Sequence, residues 1–408
     1  MITHGKGDAK QATKLDRIGE RAKADVDTVF NNIGHAVDIE LLRECYWQLD
    51  RKRAVGIDGV TKEAYGQALE RNLENLLRRI RCFAYKPQPS RLVEIPKEDG
   101  STRPLAISCF EDKIVQMAVS NILTRIYEPL FLPCSYGYRP EIGGHEALRA
   151  LMKSSNESID GATVEIDVRK YFNSIPHETL MDLMSKKISD KRFLRLIQRL
   201  IRAPIMEDGK AVLNTKGCPQ GSIISPILAN IYLHYAIDTW FNQIKQSYMR
   251  GKANLVRFAD DMVFVFEDKK DAERFYKVLP KRLEKFGLEL HENKSSILET
   301  GERAAWRACK QGSRLKTYKF LGFICYWGQS INGSWRLKYR SRSDRITAKL
   351  HGLKKYLKQN INQPILQVLL RVKQIVRGWV NYHAISDNHR QVRTFIKRSE
   401  EILKGWIN

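Results

Sequence analysis

The chain has 408 residues, 43 % of them hydrophobic, which is enough for two or three domains with a sizeable core and excludes a disordered chain. Lys and Arg number 70 against 46 Asp and Glu, and the formal charge of +24 points to a polyanionic partner. No apolar run reaches the ~20 residues of a membrane span and no signal-peptide core opens the chain, so a cytoplasmic protein without a membrane partner is expected. The seven cysteines are scattered without C-x-x-C spacing, which argues for reduced thiols rather than zinc or disulfides.

In chain order, residues 1–36 are polar, with Lys6, Lys10, Lys14, Arg17, Arg21 and Lys23 interspersed. They read either as a lead-in helix or as a basic arm. Ile39 to Leu49 is amphipathic through Leu42, Cys45, Tyr46 and Leu49. Gly56-Ile57-Asp58-Gly59-Val60-Thr61 marks a fixed loop. Leu69 to Phe83 places Leu69, Leu73, Leu76, Leu77 and Ile80 at helical spacing. Arg91–Lys97 and Thr102–Ile107 read as two strands joined by the turn Glu98-Asp99-Gly100-Ser101. Lys97 and Arg103, beside that tip, are either triphosphate ligands or ordinary surface cations. A helix runs from Asp112 to Tyr127, and Ser135-Tyr136-Gly137-Tyr138-Arg139-Pro140 follows. Arg139 there serves either to grip template phosphate or to pair with a carboxylate.

Ala162 to Val168 alternates, with Val164, Ile166 and Val168 on one face and Glu165 and Asp167 on the other, the pattern of a half-buried strand. Leu180 to Ile201 forms two cationic helical segments, and Ile205 to Val212 turns at Glu207-Asp208-Gly209-Lys210. The loop Gly217-Cys218-Pro219-Gln220-Gly221-Ser222 precedes a helical run, Ile227 to Trp240. Such a loop can offer backbone N–H groups and the Gln220 amide to a phosphate or base, or it is an ordinary helix entry. Leu255, Val256 and Phe258 then lead into Asp260-Asp261, and Met262 to Phe266 lead out, as two strands with a tight hairpin between them. Adjacent carboxylates suit Mg²⁺, which takes few protein carboxylates alongside substrate phosphates. Taken alone, the pair reads equally as a solvated turn. Lys269 to Phe286 is an amphipathic helix with Phe275, Val278, Leu279, Leu283 and Phe286 inward, and Gly287 to Ser295 ends in a strand and loop. Residues 341–408 carry three helical stripes: Ile346, Leu350, Leu353 and Leu357; Ile365, Leu369, Val372, Val376 and Trp379; Val392, Phe395, Ile396, Leu403 and Trp406.

The order of these boxes resembles the palm of reverse transcriptases. Phe258-Ala259-Asp260-Asp261 matches the paired-aspartate box, with Phe258 where Tyr is common; the Asp167 strand matches the first carboxylate box; Pro219-Gln220-Gly221 matches the Pro-Gln-Gly loop. The Gly56–Thr61 loop and Gly378-Trp379-Val380-Asn381-Tyr382 resemble the start and the maturase-type thumb of group II intron enzymes, which narrows the likeness to the bacterial branch. The resemblance implies that Asp167, Asp260 and Asp261 are catalytic and hold two Mg²⁺ (or Mn²⁺). It further implies that Lys97, Arg103, Gln220, Gly221 and Lys294 meet the nucleotide. Phe172 becomes a gate against the 2′-hydroxyl, although by itself it reads as a plain core Phe. Arg139, Gly322, Trp379 and Tyr382 would touch nucleic acid, and Gly322 lets backbone approach closely.

The fold expected is α+β, a right-hand polymerase. Its expected parts are a basic lead-in (1–36), fingers (37–160), a palm with a small antiparallel sheet (161–335) and a helical thumb (336–408). The expected function is RNA-directed DNA polymerisation, copying a dedicated noncoding RNA template into cDNA from dNTPs in antiviral defence. The absence of a nuclease constellation after Tyr382 argues against target-site cleavage by this chain. The alternative is a group II intron-encoded maturase/reverse transcriptase; an RNA-directed RNA polymerase is disfavoured by Phe172 and by Phe258-Ala259 in place of the usual Gly.

Overall fold

The computed structural model describes residues 7–96, 102–207 and 209–407. Helices combine with mainly antiparallel sheets in a mixed fold, and the chain forms two compact units, each discontinuous in sequence. The first comprises Met1–Pro140, Val168–Ile244 and Leu279–His291; the second comprises Glu141–Asp167, Lys245–Val278 and Glu292–Asn408. No helix among the described residues is long and apolar enough to cross a membrane. All seven cysteines are free.

The first unit is built around the helix Phe110–Tyr127, whose apolar residues are buried on nearly every side, including Ile114, Val115, Val119, Ile122 and Ile126. A helix that is apolar all round belongs in a core rather than on a surface. Gly7–Ala24 and Ile39–Gln48 pack against it. Asp38 starts the second of these by accepting from the Leu41 N–H, a side-chain cap worth about 1 kcal/mol. The unit's sheet has the strand order Thr102–Ile107, Ser90–Pro96, Ile205–Glu207, Lys210–Val212, and Arg103 pairs with Ile95. The expected hairpin is therefore present, while Lys97 and its turn lie outside the described residues, as does Asp208. Asp190 caps the helix Lys191–Ile201, which buries Phe193, Leu196, Ile197, Leu200 and Ile201 and leaves Lys191, Arg192 and Arg195 exposed. The run expected from Ile227 is the helix Ser225–Leu233, which widens into a π turn at His234–Asp238.

The second unit carries the sheet Ala253–Phe258, Asp261–Phe266, Gly161–Ile166, Ser296–Thr300, antiparallel throughout. The apolar runs become its centre: Val164, Ile166, Val263, Phe264 and Phe266 are all 3 % exposed or less. The helix Gly144–Asn156 covers the first two strands of that order. A second sheet, Tyr318–Phe320, Phe323–Gln329 and Trp335–Ser341, leads to the helices Ser343–Gln359, Ile365–His383 and His389–Ile407. Two apolar clusters join those helices, one around Trp379 and Phe395, the other around Leu353 and Val368.

Three local expectations need correction. Val278, expected inward, is 50 % exposed, because the helix Lys269–Lys285 buries Phe275 and Leu279 and turns Val278 away. Ile365, expected in the second stripe, is 54 % exposed, and Val368 takes the buried place one turn on. Gly287–Ser295 forms one bridge, Leu290 with Val168, and a 3-10 turn at Glu292–Lys294 rather than a full strand. Only Leu288 and Leu290 alternate inward, at 3 and 8 % exposed, and the polar run from His291 to Ser295 carries no apolar face to extend the ladder.

Candidate active site

The three expected carboxylates all belong to the second unit. Phe258 pairs with Asp261 across the hairpin, so the loop is Ala259-Asp260 and Asp261 already sits on the returning strand. Ile166 pairs with Met262 on that same strand, so Asp167, the next residue after Ile166, emerges beside the hairpin tip. The sheet register thus brings together two sequence boxes about ninety residues apart. Ala259 holds a left-handed φ of 57°, a conformation that costs a non-glycine residue about 1 kcal/mol. Arg257 stabilises it: the side chain is fully buried, and its Nη1 donates to the Ala259 carbonyl at 3.1 Å. Sequence reasoning passed over this residue. Its one signal was a guanidinium in the middle of an apolar strand beside the Asp pair.

Asp167 is 42 % exposed at its side chain, and Lys294 Nζ stands 3.6 Å from its Oδ2. The Asp167 N–H donates to Ser295 Oγ at 3.1 Å, so the segment carrying Lys294 is tied to the carboxylate strand. Two residues back, burial pushes the Glu165 carboxyl up to about 7; the Lys319 N–H opposes the rise, and the negative charges of Asp261 and Asp167 add to it. Glu165, Asp167 and Asp261 therefore share one electrostatic neighbourhood. Among the described residues no three carboxylate, His or Cys side chains enclose a metal by themselves. An exposed set of hard oxygen donors fits a divalent cation that keeps open positions for substrate phosphates.

Gly322 lies in the same unit, in the turn between two strands, at φ 85°. A Cβ there would come within 2.5 Å of Arg345 Nη1. The neighbouring Leu321 carbonyl accepts from the Tyr382 hydroxyl at 2.9 Å. Burial raises the Tyr382 phenol, with the Arg345 charge opposing and the Asp261 charge adding. Tyr382, partly exposed, thus reaches the neighbourhood of the hairpin carboxylates, and the Gly322 turn is pinned to it. Trp379 is a correction. It was expected on nucleic acid, but it is 8 % exposed and stacks between His383 and Phe395, with centroids 4.1 and 3.9 Å away, as a core residue of the helices.

The remaining residues lie in the first unit. Arg103 is exposed on its strand. Further along that strand the Ala106 N–H donates to the Gln220 carbonyl at 2.7 Å, and a Cβ on Gly221, at φ 100°, would come 2.9 Å from the Ala106 oxygen. Glycine is required there by both the close approach and the backbone angle. The Gln220 Oε1 is buried without a hydrogen-bond partner, an unmet acceptor of the kind a ligand donor satisfies. The Phe172 carbonyl accepts from the Cys218 N–H at 2.7 Å, so the half-buried Phe172 is held against the same loop. Arg139 is also a correction. Its guanidinium is committed to Glu128 Oε1 at 2.9 and 2.7 Å and to the Ser135 carbonyl at 2.7 Å, which leaves it bracing its own loop rather than free for template phosphate.

The family described as "Reverse transcriptase (RNA-dependent DNA polymerase)" matches residues 95–325, more than half of the chain and the whole span of the carboxylate boxes. The chain is 32 % identical over 240 residues to the group II intron-encoded protein LtrA of Lactococcus lactis subsp. cremoris, covering 58 % of this chain and 39 % of that protein. It is 35 % identical over 207 residues to protein YkfC of Escherichia coli, covering 50 % and 53 % respectively. It is 37 % identical over 178 residues to an uncharacterised 91 kDa protein in the cob intron of Schizosaccharomyces pombe, covering 43 % and 21 %. The chain spans at most about half the length of these relatives. The chain belongs to the reverse transcriptase (RNA-dependent DNA polymerase) family.

Proposed function

We propose that the chain is an RNA-directed DNA polymerase whose catalytic residues are Asp167, Asp260 and Asp261. The observation that carries this reading is the register of the central sheet, which sets the end of the Asp167 strand beside the Asp260-Asp261 hairpin. When bound, two Mg²⁺ (or Mn²⁺) ions supply acidification of the primer 3′-hydroxyl and charge neutralisation at the leaving pyrophosphate. The three carboxylates hold that charge in place. Lys294, 3.6 Å from Asp167, balances the carboxylate in the free enzyme and is placed to support the leaving group. Arg103 with Lys97 neutralises triphosphate oxygens, since phosphoryl transfer needs mainly positioning and charge complement. Gln220 and Gly221 position the nucleotide, the former through its unmet acceptor. Phe172 crowds a 2′-hydroxyl and selects dNTPs, and Tyr382 with the Gly322 turn supports the primer strand. In this reading residues 1–36, 37–160, 161–335 and 336–408 act as lead-in, fingers, palm and thumb of a right-hand polymerase.

The decisive variant is Asp260→Ala. It is expected to abolish DNA synthesis on an RNA template while leaving RNA affinity within about two-fold, since phosphate contacts rather than the carboxylates supply binding. Retained synthesis would sink the assignment. Two biological uses share this chemistry. One is copying of a dedicated noncoding RNA into cDNA in antiviral defence. The other is assistance to a group II intron, the reading favoured by the names of the LtrA and cob-intron relatives. Sequencing the nucleic acids that co-purify with the wild type and with Asp260→Ala separates them. One short noncoding RNA with its cDNA, the DNA vanishing in the variant, supports the first. Intron RNA in both samples supports the second.

A further inference from the structure

The first unit contains a cavity of about 660 Å³, within the size range of ligand pockets and lined by none of the residues assigned above. Three segments wall it: the loop around Asn31–His35, the end of the helix Leu69–Arg81 through Tyr85, and the outer face of Lys191–Ile201. Arg81, Lys191, Arg192, Arg195 and Arg199 all line it. Among the described residues no acidic side chain pairs with any of these five. The one carboxylate in the lining, Asp190, is spent on backbone: its Oδ2 accepts from the Ile33 and Gly34 N–H groups, and its Oδ1 from those of Arg192 and Phe193.

The cavity also holds a strained aromatic. Phe83 has φ 59°, a left-handed conformation that is unusual for so bulky a residue and tends to mark functional positions. Arg199 Nη1 fixes that conformation by donating to the Phe83 and Tyr85 carbonyls, each at 2.7 Å. The ring is half-buried, and the guanidinium carbons of Arg192 and Arg195 lie 5.8 and 5.3 Å from its centroid. An aromatic face flanked by two guanidinium groups, beside the apolar lining of Ile80 and Leu196 and among cations that have no acidic partner, has two kinds of contact to give. Its flat groups suit a nucleobase and its cations suit phosphate. That pairing is how proteins hold unpaired bases of single strands.

We infer that this cavity binds one unpaired nucleotide of a single-stranded nucleic acid, the base against Phe83 and the adjoining phosphates on Arg192, Arg195 and Lys191. The site goes beyond the polymerase reading and does not depend on the carboxylates. It gives the enzyme a second grip on its template or product, away from the reacting atoms.

The test uses the full chain and binding readouts, so that failure of the polymerase reading would not touch it. A labelled oligouridylate carrying photoreactive 4-thiouridine is crosslinked to the protein and the site mapped by peptide mass, with an oligothymidylate counterpart and free UTP as separate arms. Crosslinking within 79–85 or 189–199 is expected. Phe83→Leu, which keeps the apolar packing but loses the π face, is expected to weaken affinity about tenfold. The pair Arg192→Gln and Arg195→Gln, both exposed on their helix, is expected to lower the salt slope of binding by about 1.4, or 0.7 per lost phosphate contact. Each variant should retain the wild-type unfolding midpoint and RNA-templated synthesis on a saturating template. Preference for oligouridylate assigns the site to RNA, and preference for oligothymidylate assigns it to the DNA strand. Crosslinks elsewhere, with unchanged affinity in both variants, would overturn the proposal; so would UTP displacing the oligonucleotide completely at this site.

Discussion

His383 shows how one side chain ties stability to pH. It lies buried against Trp379 and Phe323, and burial, with the Arg345 and His145 charges adding, lowers its pKa from 6.5 to about 4. Its surroundings favour the neutral ring. Ser341 Oγ, which accepts from Asn388 Nδ2 at 2.7 Å, also shares a hydrogen bond with His383 Nδ1 at 2.8 Å. The folded pKa lies below the unfolded one, so this contribution to stability is fully present above pH 6.5 and is lost as pH falls toward 4. The loss is on the order of 3 kcal/mol. In urea unfolding at a series of pH values, the wild type is expected to lose stability through that window more steeply than His383→Gln, which keeps a hydrogen-bonding group for Ser341 but cannot charge. Parallel curves for the two proteins would mean that other groups carry the acid sensitivity.

At the scale of elements, the turn at Leu321-Gly322 is the most constrained connection near the carboxylates. Both residues have positive φ, 48° and 85°. Gly322→Ala meets two costs, the backbone angle and the approach of its Cβ to Arg345 Nη1. The second falls on the far end of a flexible side chain, which can swing aside; the first cannot be relieved. A stability loss of about 1–2 kcal/mol is expected, and adding Arg345→Ala should restore only a small part of it. Full recovery in the double variant would assign the cost to the contact instead. Elements like these show where sequence reading succeeds and where it stops. The alternation of Val164, Glu165, Ile166 and Asp167, and the apolar runs flanking Asp260-Asp261, specify strands because period-two patterning is local. Which strand pairs with which is non-local, and it decides that Asp167 stands beside the hairpin. The helical stripe through Trp379 was legible, and so was its inward face; the nucleic-acid role borrowed from the resemblance hid the plainer reading that an aromatic on an apolar stripe is core. Arg139 was misassigned and Arg257 passed over for a related reason. A guanidinium's partners, here Glu128 and the Ala259 carbonyl, come from turns whose geometry no periodicity encodes. The cavity at Phe83 is assembled from three segments far apart in sequence, and only its cations were visible beforehand.

For the whole molecule, the surplus of 70 basic over 46 acidic residues sets a field before any contact is made. Lys and Arg bind strands by displacing condensed counterions, so affinity should fall linearly on a log–log plot against salt, with a slope of about −0.7 for each phosphate neutralised on a single strand. Six such contacts give a slope of about −4, roughly a 300-fold loss between about 50 and about 200 mM salt. The carboxylates add nothing favourable to that term, being anions opposite a polyanion. The paired substitution Asp260→Asn and Asp261→Asn is therefore expected to bind single-stranded RNA in magnesium-free buffer at least as tightly as the wild type, with the same slope, while DNA synthesis is lost. Fluorescence anisotropy across a salt series measures both quantities on one sample. A slope near zero would mean that the surplus charge is not used on the strand. A shallower slope in the doubly substituted protein would mean that the hairpin shapes the strand path as well as the chemistry. In the proposed reading binding and chemistry separate because they draw on different residues: a distributed set of cations for the first, and three carboxylates set by one sheet register for the second.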